Sequence, residues 1–323
     1  MRDRELQKRI RELKNLAHVK QIDINDDLNR ISAKLTGDGP GSMDAWQRVT
    51  LARNQDRPNV LEYIGKISDS YVELHGDRLF GDDLAMVGGI AKIGGVPFTF
   101  MGHQKGRTMK ENLKRNYGWA HPEGYRKALR LARQAEKFRR PILTLIDTAG
   151  AYPGIGSEER GISEAIATNL KMFSVLKTPI IAIVIGEGGS GGALGIGVGD
   201  RVFMLENSTY SVISPEGFAS ILLRDAKKNQ LAADLMKMTA PDLLKFGIIN
   251  GIIPEPPSGA HNDPDFVASR LKETIITSYQ ELKDKKMEQL LKERSQKLLS
   301  LGEFHDPHNG QEDSFFRKLF RFR

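Results

Sequence analysis

Apolar residues recur at helical spacing at both ends of the chain and gather into short unbroken runs in its middle. Leu6, Ile10, Leu13 and Leu16, then Leu28, Ile31 and Leu35, predict two charged amphipathic helices with a break around residues 23–26, an N-terminal helical arm over residues 1–36. Gly37-Asp-Gly-Pro-Gly41 reads as a linker. Residues 85–93 and 96–103 are β-rich runs separated only by Gly94 and Gly95, the length and composition of a tight hairpin turn. A basic loop follows, then a predicted helix over residues 122–138 with Ala128, Leu131, Ala132 and Ala135 on one face and Arg126, Arg130, Arg133 and Lys137 displaced from it.

The middle of the chain repeats one pattern. An apolar run over residues 141–146 enters Asp147-Thr-Ala-Gly-Ala-Tyr-Pro-Gly154, and a helix is predicted over about residues 157–176. A second run, residues 179–185, enters Gly186-Glu-Gly-Gly-Ser-Gly-Gly192 and a shorter helix. Neither run alternates apolar with polar, so both are expected to be buried on two faces, with the helix between them a parallel crossover. The two glycine-rich turns should therefore lie near one sheet edge. Residues 201–205 and 209–213 read as further strands, and Pro215 opens a helix. A long helix is predicted over residues 266–299 and a flexible tail over residues 301–323, leaving residues 37–300 as the main α/β domain.

Composition narrows the function classes. With 39% hydrophobic and 28% charged residues the chain has enough apolar side chains for a core. It contains no cysteine, which removes disulfides, thiolate nucleophiles and cysteine-type zinc sites from this polypeptide. The charged N-terminus and the absence of an apolar run near the roughly 20 residues of a spanning helix predict a cytoplasmic protein with no membrane partner. Lys and Arg number 48 against 41 Asp and Glu, a net charge of +7. Between His103 and Arg140 stand 12 Lys and Arg against 3 Asp and Glu, a local +9, so the rest of the chain sums to −2. Nucleic-acid binding would want aromatics interleaved with these cations, and Tyr117, Trp119 and Tyr125, with Phe138 at the end of the stretch, are few. Local steering of anionic ligands, or a solvated helix face, accounts for the patch instead.

A strand running into a glycine-rich turn and a helix aims backbone N–H groups at whatever fills the turn. Gly186, Gly188 and Gly191 match G-x-G-x-x-G, with Glu206 following a strand, but the helix that would carry a dinucleotide is short and broken by Gly195, Gly197 and Gly199. Two adjacent turns can instead supply two convergent donors to a developing oxyanion. The glycines read equally well as a device for tight helix–sheet packing.

The segment Ile183-Val-Ile-Gly-Glu-Gly-Gly-Ser-Gly-Gly-Ala-Leu-Gly-Ile-Gly-Val-Gly-Asp200 resembles the oxyanion-hole segment of the crotonase superfamily. Gly102-His-Gln-Lys-Gly-Arg107, Pro122-Glu-Gly-Tyr-Arg-Lys-Ala-Leu-Arg-Leu131, Ile146-Asp-Thr-Ala-Gly-Ala-Tyr-Pro-Gly154, Glu158-Glu-Arg-Gly161 and Ser208-Thr-Tyr-Ser-Val-Ile-Ser-Pro-Glu-Gly217 narrow it further. Together they resemble the carboxyltransferase alpha subunits of bacterial acetyl-CoA carboxylase, in order from about Trp46 to His261. Ala149 stands where that family commonly has Pro, and Ser258 where it commonly has Gly.

The resemblance implies an α/β crotonase-like (ClpP/crotonase) spiral of ββα units with an N-terminal helical arm and a C-terminal helix. It implies transfer of the carboxyl group of carboxybiotin, presented on a biotin carboxyl carrier protein and made by biotin carboxylase, to acetyl-CoA. The product is malonyl-CoA, the first committed step of fatty acid synthesis. The partner is a beta subunit carrying a zinc ribbon, in an α2β2 assembly, and no metal is expected on this chain. Gly191 and Gly192 are expected to stabilise the biotin ureido oxyanion, with Ala149 or Gly150 supplying a donor from the first turn. Lys105, Arg107, Arg160 and Tyr152, with Gly188 and Gly189, are the expected ligand-binding residues. Glu187 and Glu216 are expected to cap helices or face solvent, and His103 and His121 are the only histidines near the turns. Gly192→Val is expected to abolish transfer and leave subunit assembly intact. A stand-alone hydratase or isomerase would need a positioned carboxylate near the second turn.

Overall fold

The computed structural model describes residues 43–256 and 258–302. The arm and linker expected over residues 1–41, and the tail beyond residue 302, lie outside the described residues.

The unbroken apolar runs become the centre of an eight-stranded mixed sheet. Its strands are β1 (Ser70–Glu73), β2 (Met86–Ile93), β3 (Val96–His103), β4 (Ile142–Thr148), β5 (Ile180–Gly189), β6 (Arg201–Leu205), β7 (Thr209–Ser211) and β8 (Gly251–Ile253). The order is β1-β2-β3-β4-β5-β6-β8, with β7 paired to the end of β5. β1 to β3 are antiparallel, while β3, β4, β5, β6 and β8 run parallel. Gly94 (φ 56°) and Gly95 (φ 83°) turn the β2–β3 hairpin, with Ile93 opposite Val96. Both values lie in the left-handed region that glycine enters without steric cost.

Around the sheet lie α1 (Ala45–Ala52), α2 (Val60–Ile67), α3 (Met109–Lys114), α4 (Pro122–Lys137), α5 (Ile155–Glu159), α6 (Ile162–Val175), α7 (Ser190–Leu194), α8 (Pro215–Leu222), α9 (Asn229–Met236), α10 (Ala240–Lys245), α11 (Pro264–Lys283) and α12 (Met287–Leu299). Successive side chains of a strand face opposite ways, and β5 divides accordingly. Ile180, Ala182 and Val184 enter one core with Ala128, Leu131 and Ala135 of α4 and Phe173 of α6. Ile181, Ile183 and Ile185 enter the other with Val60 and Ile64 of α2 and Leu271 and Ile275 of α11. That double burial removes any need for alternation, as the sequence pattern implied. Among the described residues, no helix is long and apolar enough to cross a membrane.

Three expected elements are redrawn. The single helix over residues 157–176 is two, α5 and α6, separated at Gly161 (φ 79°). The helix over residues 266–299 likewise breaks into α11 and α12. The third change matters most, because β5 does not stop before the glycines but continues through Gly186, Gly188 and Gly189. A Cβ there would meet Asp147 Oδ1 at 2.3 Å, the Tyr210 ring at 2.8 Å and the Ala149 carbonyl oxygen at 2.1 Å, respectively. The glycines are needed because neighbouring chain comes too close for a side chain.

The basic patch is also reassigned. Arg126 Nε donates to Asp77 at 2.8 Å, Lys127 Nζ to Asp82 at 2.5 Å and to the Asp83 carbonyl at 2.8 Å, and Arg130 to the carbonyls of Gly76 and His75 at 3.0 and 3.2 Å. Three of the twelve cations thus fasten the 75–83 loop to α4. At the other end of the chain, Arg294 of α12 is 1% exposed and sends its guanidinium under the sheet. It pairs with both carboxylate oxygens of Asp200 at 2.8 Å and donates to the carbonyls of Phe173, Leu176 and Thr178 at 2.8–2.9 Å.

Candidate active site

β4 and β5 are parallel neighbours, so their C-terminal ends deliver both glycine-rich turns to one place. The register slips between Ile146 and Thr148, and at that irregularity Asp147 turns toward β5. Its Oδ1 accepts the Glu187 N–H at 2.9 Å and lies 2.7 Å from Lys105 Nζ, which is also 3.1 Å from Glu187 Oε2. Arg53 completes the cluster, 2.7 Å from Glu187 and 2.7 Å from Glu216. Burial disfavours the Lys105 ammonium, but Asp147 and Glu187 outweigh it and hold its pKa above the usual range. Burial likewise opposes the Glu187 carboxylate, and Lys105 and Arg53 outweigh it to hold that group below the usual range. Two cations and three carboxylates leave the cluster with one net negative charge, so it is not a positive grip for an anion.

The first turn is closed by Thr148, whose hydroxyl donates to the Gly150 carbonyl at 2.7 Å and accepts the Gly150 N–H at 3.1 Å. The second begins at Ser190, a non-glycine residue with φ 52°, and passes directly into α7. A left-handed residue followed by right-handed ones turns successive N–H groups to one side, a concavity that suits negative oxygen. Strain of this kind persists only where surrounding structure enforces it. The two turns touch, since a Cβ on Gly192 would lie 2.5 Å from the Gly150 carbonyl carbon and 2.6 Å from the Ala151 nitrogen. Beside that contact is space. A Cβ on Gly150 would meet nothing within 4 Å, and one on Gly191 only Ile166 at 3.8 Å.

These distances sort the expected residues. Gly191, Gly192, Ala149 and Gly150 come together, but the Gly150 N–H is already taken by Thr148. Gly188 and Gly189 lie in β5 against Tyr210 and Ala149, in packing roles. Of the expected cationic ligands only Lys105 reaches the turns, already paired. Arg107 is engaged by both carboxylate oxygens of Glu62 and by the Gln55 carbonyl. Arg160 holds Glu123 at 3.0 Å and covers the Phe80 ring at 4.5 Å, while Tyr152 lies against the His121 ring at 4.2 Å. His103 is fully buried, and burial, then Lys105, lowers its pKa to about 3, leaving it neutral and sealed from any ligand. Gly192→Val no longer leaves the surroundings intact, because its side chain would strike the backbone of the first turn.

Sequence reasoning passed over Asp147, Arg53, Tyr125 and Asn169. Asn169 carried a signal, being the one polar residue in the stripe it shares with Ala165 and Phe173, all three buried.

A family model described as acetyl co-enzyme A carboxylase carboxyltransferase-like matches residues 2–302. The chain belongs to this family. A relative from Treponema denticola is 56% identical over 294 residues, covering 91% of this chain and 96% of its own length. One from Alkaliphilus oremlandii is 52% identical over 301 residues, covering 92% and 95%. Both are named acetyl-coenzyme A carboxylase carboxyl transferase subunit alpha. Among solved structures, a transcarboxylase 12S with methylmalonyl-coenzyme A bound superposes with a TM-score of 0.59 at 18% identity. The match covers 74% of this carboxyltransferase-family chain and 44% of the transcarboxylase chain. A Pseudomonas malonate decarboxylase hetero-tetramer in complex with coenzyme A gives 0.54 at 19% identity, covering 67% and 86%. At these identities the likeness is one of fold, and the family member has the crotonase-like α/β architecture.

Proposed function

We propose that this chain is the alpha half of an acetyl-CoA carboxylase carboxyltransferase, taking the carboxyl group from carboxybiotin on a carrier protein and passing it to acetyl-CoA. The match to the family over residues 2–302 carries this reading. The two touching turns support a site for the donor group, with open space at Gly150, only the Ile166 side chain near Gly191, and the strained Ser190 turn beside them. When bound, carboxybiotin supplies the carboxyl group, and negative charge grows on its ureido oxygen as the bond to the carboxyl carbon breaks.

Gly191 and Gly192 donate their N–H groups to that oxygen, with Ala149 at the facing turn. One such donor is worth about 2.7–4 kcal/mol of barrier. Asp147 and Lys105 hold the β4 and β5 ends in register, so the donors are fixed before charge develops. Sealed in the core, His103 takes no proton from acetyl-CoA. The base for that proton is therefore a group other than His103. A cysteine-free chain leaves the zinc ribbon to that partner, in an α2β2 assembly. The stand-alone hydratase reading is weakened by the same geometry, since Glu187 and Glu216 are both held by Arg53.

Mixing this chain with a zinc-ribbon beta subunit is expected to give biotin-dependent decarboxylation of malonyl-CoA that neither chain gives alone. Turnover of enoyl-CoA by the pure chain would overturn the reading.

A further inference from the structure

We propose that Tyr125 and Asn169, which reach the backbone of α7 and not the ligand, are the positioning residues of the second glycine turn. The inference rests on the function proposed above and adds two residues that act through the backbone of α7.

α7 has five residues, two of them glycine, and starts on a left-handed serine. One turn of this composition has almost no stability of its own, because nucleation is unfavourable and glycine weakens it further. Its hydrogen-bond ladder tightens at once. Gly195 N–H returns to the Gly191 carbonyl at 3.0 Å, but Ile196 N–H goes to Ala193 at 3.3 Å and Gly197 N–H to Leu194 at 3.0 Å. The Gly192 carbonyl, which a continuing α-helix would pair with Ile196, is passed over.

Tyr125 of α4 supplies a donor for it, its hydroxyl lying 3.2 Å from the Gly192 oxygen. The Tyr125 ring occupies the place a Cβ on Gly195 would take, 2.6 Å away, so Gly195 makes room for the tyrosine. Asn169 of α6 then ties the other end, its amide donating at 3.0 Å to the Gly195 carbonyl and at 3.0 Å to the Tyr125 carbonyl. Both side chains are fully buried. Burial, with Asp83 as a lesser cause, pushes the Tyr125 phenol well above its ordinary pKa, so it remains a donor throughout the working range. α7 is thus gripped at Gly192 and Gly195 from two neighbouring helices, and the direction of the Gly191 and Gly192 N–H groups follows from that grip.

The test uses the reconstituted alpha–beta complex. Tyr125→Phe keeps the ring and removes one neutral hydrogen bond, so kcat for biotin-dependent malonyl-CoA decarboxylation should fall about tenfold, with KM for malonyl-CoA unchanged. Asn169→Ser should behave likewise. In combination with Gly191→Val, Tyr125→Phe should cost no further kcat, because both act on one turn; independent structural damage would add. In the unmodified chain the Gly195 amide should exchange with solvent as slowly as the amides of α4. Full kcat in Tyr125→Phe at unchanged melting temperature, additive losses, or fast exchange at Gly195 would each overturn the inference. An unmodified complex without carboxyl transfer would instead refute the function it rests on.

Discussion

Gly191→Val is expected to lower kcat for carboxyl transfer by about 10²–10³, the loss seen when one oxyanion donor is removed. The substitution is chosen by space. At Gly191 a new Cβ meets beyond its own turn only side-chain carbons of Ile166, the nearer at 3.8 Å, an ordinary contact, so the valine adds bulk beside the turn without displacing backbone. The melting temperature and binding to the beta subunit should therefore stay at their original values while biotin loses its place. At Gly192 the same side chain would meet the first turn's backbone at 2.5 Å, and lost activity there would mix a blocked slot with a displaced turn. Steady-state kinetics with malonyl-CoA and biotin, alongside thermal melting, separate the two. Full activity in Gly191→Val would remove the second turn from the mechanism.

The largest effect on stability is expected from Arg294→Met. Removing this guanidinium leaves Asp200, itself 5% exposed, with a buried charge, and strips donors from the carbonyls of Phe173, Leu176 and Thr178. Breaking one side of a buried pair costs about 3–5 kcal/mol, against a total stability of about 5–15 kcal/mol for a typical domain. Urea titration should show the midpoint falling in that proportion, with soluble yield falling too. Adding Asp200→Asn should restore part of the loss, since no unpaired charge then remains. The Asn still presents an oxygen to the Ile180 N–H that Asp200 accepts at 2.7 Å. A midpoint unchanged in Arg294→Met would mean that α12 contributes little to the stability of the sheet.

The local devices of this fold were legible because their causes are local. Gly94 and Gly95 between two β-rich runs specify a hairpin, and two apolar runs joined by a helix specify parallel neighbours. From that pairing the meeting of the two glycine-rich turns followed. Gly186, Gly188 and Gly189 misled, because glycine marks both a turn and a close approach, and only the positions of Asp147, Ala149 and Tyr210 decide between them. The charged candidates failed to separate for a related reason. Lys105, Arg107 and Arg160 are equally basic in sequence, yet each has carboxylate partners brought from elsewhere, Arg107 from Glu62 and Arg160 from Glu123. Tyr125 stands in the sequence as one aromatic among basic residues, and only the fold brings its hydroxyl against the Gly192 carbonyl.

The Arg294 anchorage also sets an order of events during translation. Asp200 leaves the ribosome 94 residues ahead of the arginine that neutralises it, an interval of about 5–20 s at ordinary elongation rates. Until the arginine is made, Asp200 lacks this partner, and the carbonyls of Phe173, Leu176 and Thr178 lack these donors. Docking of α12 closes that end of the molecule, so maturation of the β4–β5 scaffold that carries both turns waits on nearly the last described helical turns to be synthesised.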